Sequence, residues 1–211
     1  MTETMQATLF YVHDPMCSWC WGFEPTRVRL FAALEGRVRI RRLVGGLAPD
    51  SDEPMPEAMR LGLQQTWRHV QQVVPGTRFN FDFWTKCAPR RSTYPANRAV
   101  IAARLQGEPF DPMMTHRIQQ AYYLEARNPS DNETLIELAG DIGLDVERFS
   151  ADLVDPAIAR QTLDEIQSTR NMGIDSFPSL AVVDTTGRLS HIALDYNDAG
   201  AMLAQVEALI G

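Results

Sequence analysis

A pair of cysteines two residues apart falls where a strand gives way to a helix, and few folds place it there. Ala7 to His13, ATLFYVH, is dense in β-branched and aromatic residues and reads as a buried strand. Asp14-Pro15-Met16-Cys17-Ser18-Trp19-Cys20 follows at once, with Pro15 breaking the strand and a helix starting behind it. Phe23, Arg27, Val28, Phe31 and Leu34 form the expected face of that helix, and Gly36 ends it. From Arg37 to Val44, the apolar Val38, Ile40 and Leu43 sit among arginines, as in a second strand. The opening is therefore β-α-β, which implies parallel strands with a right-handed crossover.

Two intervening residues let the first helical turn bring both sulfurs within reach of a disulfide. Cys17 falls at the helix N-terminus, where unpaired N–H groups and the helix dipole favour a thiolate. On this reading Cys17 attacks, and Cys20, one turn further in, resolves the mixed disulfide. The same spacing also begins zinc sites, and Cys87 and His13 are available as further ligands. No second C-x-x-C and no paired histidines complete a standard site.

Residues 50 to 172 read as helical throughout. Met59, Leu63, Trp67, Val70 and Val74 mark one helix at steps of three and four. The spacing predicts four more, over Pro95–Leu105 with Ser92 or Thr93 as N-cap, Phe110–Arg127, Asn132–Ile142 and Pro156–Met172. The chain then returns to β structure. Leu180–Asp184 and Leu189–Ala193 form a hairpin around Thr185-Thr186-Gly187-Arg188, and Asn197 or Asp198 caps a last helix to Ile210. Two prolines stand out. Pro25 lies inside the first helix, where a proline costs ~3 kcal/mol or more. Pro178 directly precedes the third strand, and a cis bond there would turn the Phe177 backbone toward the cysteines, free to pair with an extended substrate.

Composition narrows the function classes. With 45% hydrophobic and 22% charged residues, the 211-residue chain has the profile of a globular protein. A net charge of −7 argues against nucleic-acid binding, which needs a basic face. No apolar run approaches the ~18 residues of a membrane span. Met1–Ala7 has no Lys or Arg, and Leu9–Val12 is too short for a signal-peptide core, so the expected location is cytoplasmic. Three cysteines are too few, and odd in number, for a disulfide-stapled secreted scaffold.

The C-x-x-C after the first strand, Pro25, the long helical block and Pro178 together resemble the DsbA family of the thioredoxin superfamily. The likeness covers essentially the whole chain, and DPMCSWCWGF is similar to the cytoplasmic, protein-disulfide-isomerase-like subgroup. The resemblance implies an α/β thioredoxin-like fold, β-α-β … α-β-β-α, with an inserted all-helical domain. Residues 1–49 and 156–211 would form the thioredoxin-like domain, and residues 50–155 the insertion. It also implies Cys17 as nucleophile, Cys20 as resolving thiol and Pro178 as the cis proline, with thiols and disulfides of proteins or peptides as substrates. No cofactor or metal is implied. Three departures bear on the direction of electron flow. Ser18-Trp19 lacks the histidine of strongly oxidising members, Phe177 replaces a smaller residue, and the periplasmic leader is not seen.

Other residues carry two readings each. Asp14 is either a buried acid relaying a proton to Cys20 or a turn residue beside Pro15. His13 either assists the thiols or points outward from a strand end. Trp19 is expected to be exposed as an apolar contact for peptide substrates, and Trp21 to be core. Met16, with Met55 and Met59, is an adaptable binding surface or core filler. Cys87 reads better as a lone buried thiol than as half of a second disulfide. Arg90 and Arg91 are candidates to hold the carboxylate of a ligand such as glutathione. Two rival functions remain: a glutathione-dependent transferase or isomerase of the kappa-class type, and a binding module holding zinc.

Overall fold

The structure is a computed structural model and describes residues 6–210; the expectation about a leader rests largely on residues outside that range. Strand β1 (Thr8–His13) lies inside a four-stranded sheet of order β2-β1-β3-β4. It runs parallel to β2 (Arg39–Val44) and antiparallel to β3 (Ser179–Val183), which pairs in turn with β4 (Leu189–Ile192). Helix α1 (Ser18–Ala33) makes the β1–β2 crossover and α9 (Ala199–Ile210) closes the chain. Alternation along the strands sorts the core. Leu9 and Tyr11, with Leu180 and Val182, meet Phe23, Leu30 and Phe31 of α1 and Met202 and Val206 of α9. Val12, Leu43 and Ala181 pack instead with Ile174, Phe177, Cys17 and Cys20.

Helix α1 runs without a break through Pro25, but its inner face differs from the expected one. Val28 is 52% exposed, while Thr26 is buried and its hydroxyl donates to the Tyr196 carbonyl at 2.6 Å. Val28 lies five positions after Phe23, about 140° around the helix, so its apolar character does not bring it inside.

Between β2 and β3 stand α2 (Glu57–Val73), α3 (Phe83–Lys86), α4 (Tyr94–Arg104), α5 (Phe110–Tyr123), α6 (Asn132–Asp141), α7 (Val146–Val154) and α8 (Pro156–Asn171). The sequence reading gave five of these and left out α3 and α7. Helix α7 had readable signals: Asp145 caps it by accepting from the Arg148 amide, and Phe149 and Leu153, one turn apart, are buried. Helix α5 stops at Tyr123, short of the expected Arg127. Trp67 of α2 anchors this region, stacked on Phe79 at 4.9 Å and tilted against Trp84 at 4.8 Å. Met59, expected on the same face, is 40% exposed.

One arginine ties the helices to the sheet. Arg104 of α4 bonds Asp111 of α5 and Glu165 of α8, each at 2.7 Å, and Glu165 also accepts the Val44 amide of β2 at 2.6 Å. Burial alone would disfavour charge on Arg104, but the two carboxylates outweigh it and raise its pKa. At the far end, Gly187 takes φ +86° in the hairpin turn, and the Asp198 carboxylate caps α9 by accepting from Gly200 and Ala201. Among the described residues no helix is long and apolar enough to cross a membrane.

Candidate active site

Cys17 is the N-cap of α1, with extended backbone at φ −84° and ψ 115°. Its sulfur accepts the Cys20 amide at 3.4 Å, in the place a capping serine or aspartate oxygen normally fills. The Cys17 thiol also donates to the Phe177 carbonyl at 3.3 Å, and the Phe177–Pro178 bond is cis. Both cysteines are buried, but Cys17 retains 6% exposure and Cys20 none, so Cys17 is the nearer of the two to solvent. Both are free thiols. Burial, and then the neighbouring Cys17 sulfur, push the Cys20 thiol well above its ordinary pKa, so Cys20 keeps its proton at neutral pH.

Asp14 is fully buried and accepts four hydrogen bonds. Its Oδ1 takes the Met16 amide at 2.8 Å, which is the turn expected beside Pro15. Its Oδ2 takes the Leu47 amide at 2.8 Å, the Thr93 hydroxyl at 2.7 Å and the Asn97 side-chain amide at 2.9 Å. The carboxylate thus pins the cysteine loop to the segment after β2 and to the start of α4. Thr93 does stand at the N-cap of α4, but it makes no side-chain cap bond because its hydroxyl is spent on Asp14. Thr93 and Asn97 hold Asp14, a role the sequence reading did not give them. Their i, i+4 spacing was visible, but nothing linked them to an aspartate some eighty positions earlier.

His13 does not point outward. It is fully buried, stacked on Tyr11 with ring centroids 4.9 Å apart, and neither ring nitrogen has a partner among the described residues. Burial first, then Arg27, Arg104 and Arg42, lower its pKa well below the ordinary value. The folded state therefore keeps His13 neutral where the unfolded chain takes up a proton. Stability is expected to fall as pH drops below about 6.5, by at most ~1.4 kcal/mol per pH unit from this group. Comparing urea midpoints of the wild type and His13→Phe between neutral and mildly acid pH checks this. The variant keeps the stacking and should lose that part of the slope; an unchanged slope would count against a neutral buried imidazole.

The wall beside Cys17 is aromatic. Trp19 is half-buried rather than exposed, held between Tyr196 at 5.0 Å and His69 of α2 at 5.6 Å. Tyr196 and His69 come from distant segments and carry no motif, which is why the sequence did not flag them. Trp21 is also half-buried, stacked on Tyr123 with its indole N–H on the Arg78 carbonyl at 3.0 Å. Met16 and Met55 are both buried, at 8% and 7% exposure, close to the value for Cys17. The Phe177 side chain turns inward and leaves its backbone at the site. Its ring lies so close to Gly45 that a Cβ there would come within 2.1 Å of it, which explains why this position has no side chain.

The remaining candidates lie elsewhere. Cys87 is half-buried and donates to the Ala126 carbonyl at 3.0 Å, packed against the helical core. Arg90 is paired with the protein's own Asp131 at 2.6 Å and with the Ser130 carbonyl at 2.8 Å. Among the described residues no group of three or more His, Cys, Asp or Glu side chains is placed to hold a metal. Cys87 and His13 therefore do not complete a zinc site with the cysteine pair.

Comparison with known proteins agrees with this geometry. The sequence model of a family described as thioredoxin matches residues 10–204. ClpXP adapter protein SpxH of Halalkalibacterium halodurans is 28% identical over 170 residues, covering 79% of this chain and 55% of that protein. SpxH of Bacillus subtilis is 23% identical over 173 residues, covering 82% and 56%. The chain thus spans little more than half the length of these curated relatives. A structure from Nitrosomonas europaea, described as a candidate protein disulfide isomerase, superposes with TM-score 0.83 at 26% identity, covering 97% of each chain. Cytosolic disulfide reductase DsbM of Pseudomonas aeruginosa gives 0.74 at 26% identity, covering 95% of this chain and 97% of that one, and has also been solved with GSH.

Proposed function

The chain belongs to the thioredoxin family, in its DsbA-like branch, and on that premise we propose that it is a cytoplasmic enzyme exchanging disulfides with protein or small-thiol substrates through Cys17 and Cys20. One observation carries the reading: the Cys17 sulfur caps a helix beside the Phe177 carbonyl, with a fully buried, protonated Cys20 directly behind it.

In the reducing direction the Cys17 thiolate attacks one sulfur of a substrate disulfide. That S–S bond breaks, and the departing sulfur leaves as a thiolate that takes a proton from solvent. Cys20 then gives up its proton and attacks the Cys17 sulfur of the mixed disulfide, releasing the second substrate thiol and closing the Cys17–Cys20 bond. The substrate gains two electrons and the enzyme dithiol loses them; the oxidising direction runs these steps in reverse. The Phe177 backbone and Trp19 would hold the extended substrate, with Pro178 shaping the loop. Asp14, saturated by four donors, is assigned to positioning that loop rather than to carrying protons. The DsbM complex with GSH supports glutathione as a small-thiol partner.

The SpxH relatives favour a second reading, an adapter that binds a protein partner without chemistry on it. Cys20→Ser separates the two. Under mild oxidation with a disulfide substrate it should accumulate adducts on Cys17 that reductant removes, seen by intact mass. If no adduct forms, and partners are retained equally by Cys17→Ala, the adapter reading replaces the enzyme.

A further inference from the structure

Strand β2 is an edge of the sheet and carries arginines in a chain of net charge −7. Arg37 pairs with Glu207 at 2.7 Å. Arg39, Arg41 and Arg42 take part in none of the ion pairs among the described residues. Arg41 lies over the Phe10 ring at 5.6 Å and Arg42 over Phe31 at 5.5 Å, so aromatic contacts hold both side chains; Asp111 is near enough to act on the Arg42 charge but pairs with Arg104 instead. The Nε of Arg42 is buried without a partner.

The backbone of the same strand is only half covered. The Arg39 amide donates to Ala7 of the preceding segment at 2.9 Å and the Gly45 amide to His13 at 2.7 Å, so odd-numbered residues face β1. Even-numbered residues face outward. At the Val44 end, Glu165 caps the amide and Arg104 reaches the Arg42 carbonyl at 3.4 Å. Further back, the Ile40 N–H and C=O and the Arg42 N–H have no such cover among the described residues. A recess of about 390 Å³ runs along this stretch, bounded on its far side by Arg104, Glu108 and Asp111, of which Asp111 is already paired with Arg104.

We propose that the open stretch of β2, Arg39–Arg42, is a docking site for an acidic, extended segment of a partner protein, which adds to the sheet as a fifth strand. Backbone pairing to Ile40 and Arg42 would supply affinity, and carboxylates alternating along the segment would meet Arg39 and Arg41 on one face and Arg42 on the other. Charged edges normally discourage strand addition. Here the discouragement is selective. A second copy of β2 would set arginine against arginine, whereas an acidic strand gains from every pair. This inference does not depend on the thiol chemistry.

The test uses a fluorescein-labelled peptide of alternating Glu and Val, titrated with the full chain by fluorescence anisotropy. Saturable binding is expected that weakens with salt and protects the amides of residues 40 and 42 from hydrogen exchange. The exposed double variant Arg39→Glu/Arg41→Glu should bind about tenfold more weakly with its disulfide-exchange rate unchanged. Any of four results overturns the proposal: no saturable binding, equal binding of a Lys–Val peptide, equal binding of an N-methylated Glu–Val peptide, or no loss in the double variant. Loss of binding on alkylating Cys17 would place the peptide at the active site instead, and would overturn it too.

Discussion

Cys17→Ser is expected to lower the rate of disulfide exchange by about a thousandfold or more, as removal of a nucleophile does, while leaving the protein as stable as before or slightly more so. The second half of this expectation follows from the position of Cys17 as N-cap. A serine oxygen replaces a sulfur that accepts the Cys20 amide at 3.4 Å, and serine is among the preferred N-cap residues. Activity and stability should therefore part company. Reduction of a disulfide model substrate measures the first and a urea midpoint the second. Residual exchange within tenfold of wild type would mean that another thiol is the nucleophile, and the half-buried Cys87 would be the one to examine.

Asp14→Ala should be among the most destabilising single substitutions in the chain. It leaves four donors without their acceptor: the amides of Met16 and Leu47, the Thr93 hydroxyl and the Asn97 side chain. A buried polar group left unpaired costs ~1–3 kcal/mol, and relaxation or entering water recovers part of that, so a loss of about 3–5 kcal/mol is expected. For a domain stable by only ~5–15 kcal/mol this is a large share. Asp14→Asn should lose less, since one oxygen remains to accept. Denaturant unfolding of both variants checks the order, and a double-mutant cycle with Thr93→Val should show coupling between the two positions. A loss below 1 kcal/mol for Asp14→Ala would mean that the hydrogen-bonded arrangement does not hold the loop.

Much of the frame was legible because its signals are local. A β-branched run before Pro15, a helix after it and the hairpin around Gly187 each announce themselves within a few residues. The cysteine pair was legible for the same reason, since its spacing and its place at a helix start are one local pattern. What the sequence concealed depends on long-range partners. Thr93 reads as an ordinary helix cap until Asp14 is seen to take its hydroxyl. His13 at a strand end looks solvent-facing until the fold buries it and stacks it on Tyr11. Arg90 has the charge to hold a ligand, and only the fold shows that Asp131 already holds it. Val28 was misplaced because its apolar character outweighed helical phase, whereas Met59 is in phase but lies in the first turn of α2 and stays 40% exposed.

The central claim is that Cys17 and Cys20 cycle between dithiol and disulfide. The most direct measurement equilibrates the protein in graded mixtures of reduced and oxidised glutathione and counts alkylated thiols by mass. A reversible two-electron transition confined to these two cysteines is predicted, with Cys87 outside it. Its midpoint then gives the direction of flow, reducing if it lies well below the cytosolic glutathione poise and oxidising or isomerising if well above. Failure to form the Cys17–Cys20 disulfide at any ratio would contradict the account.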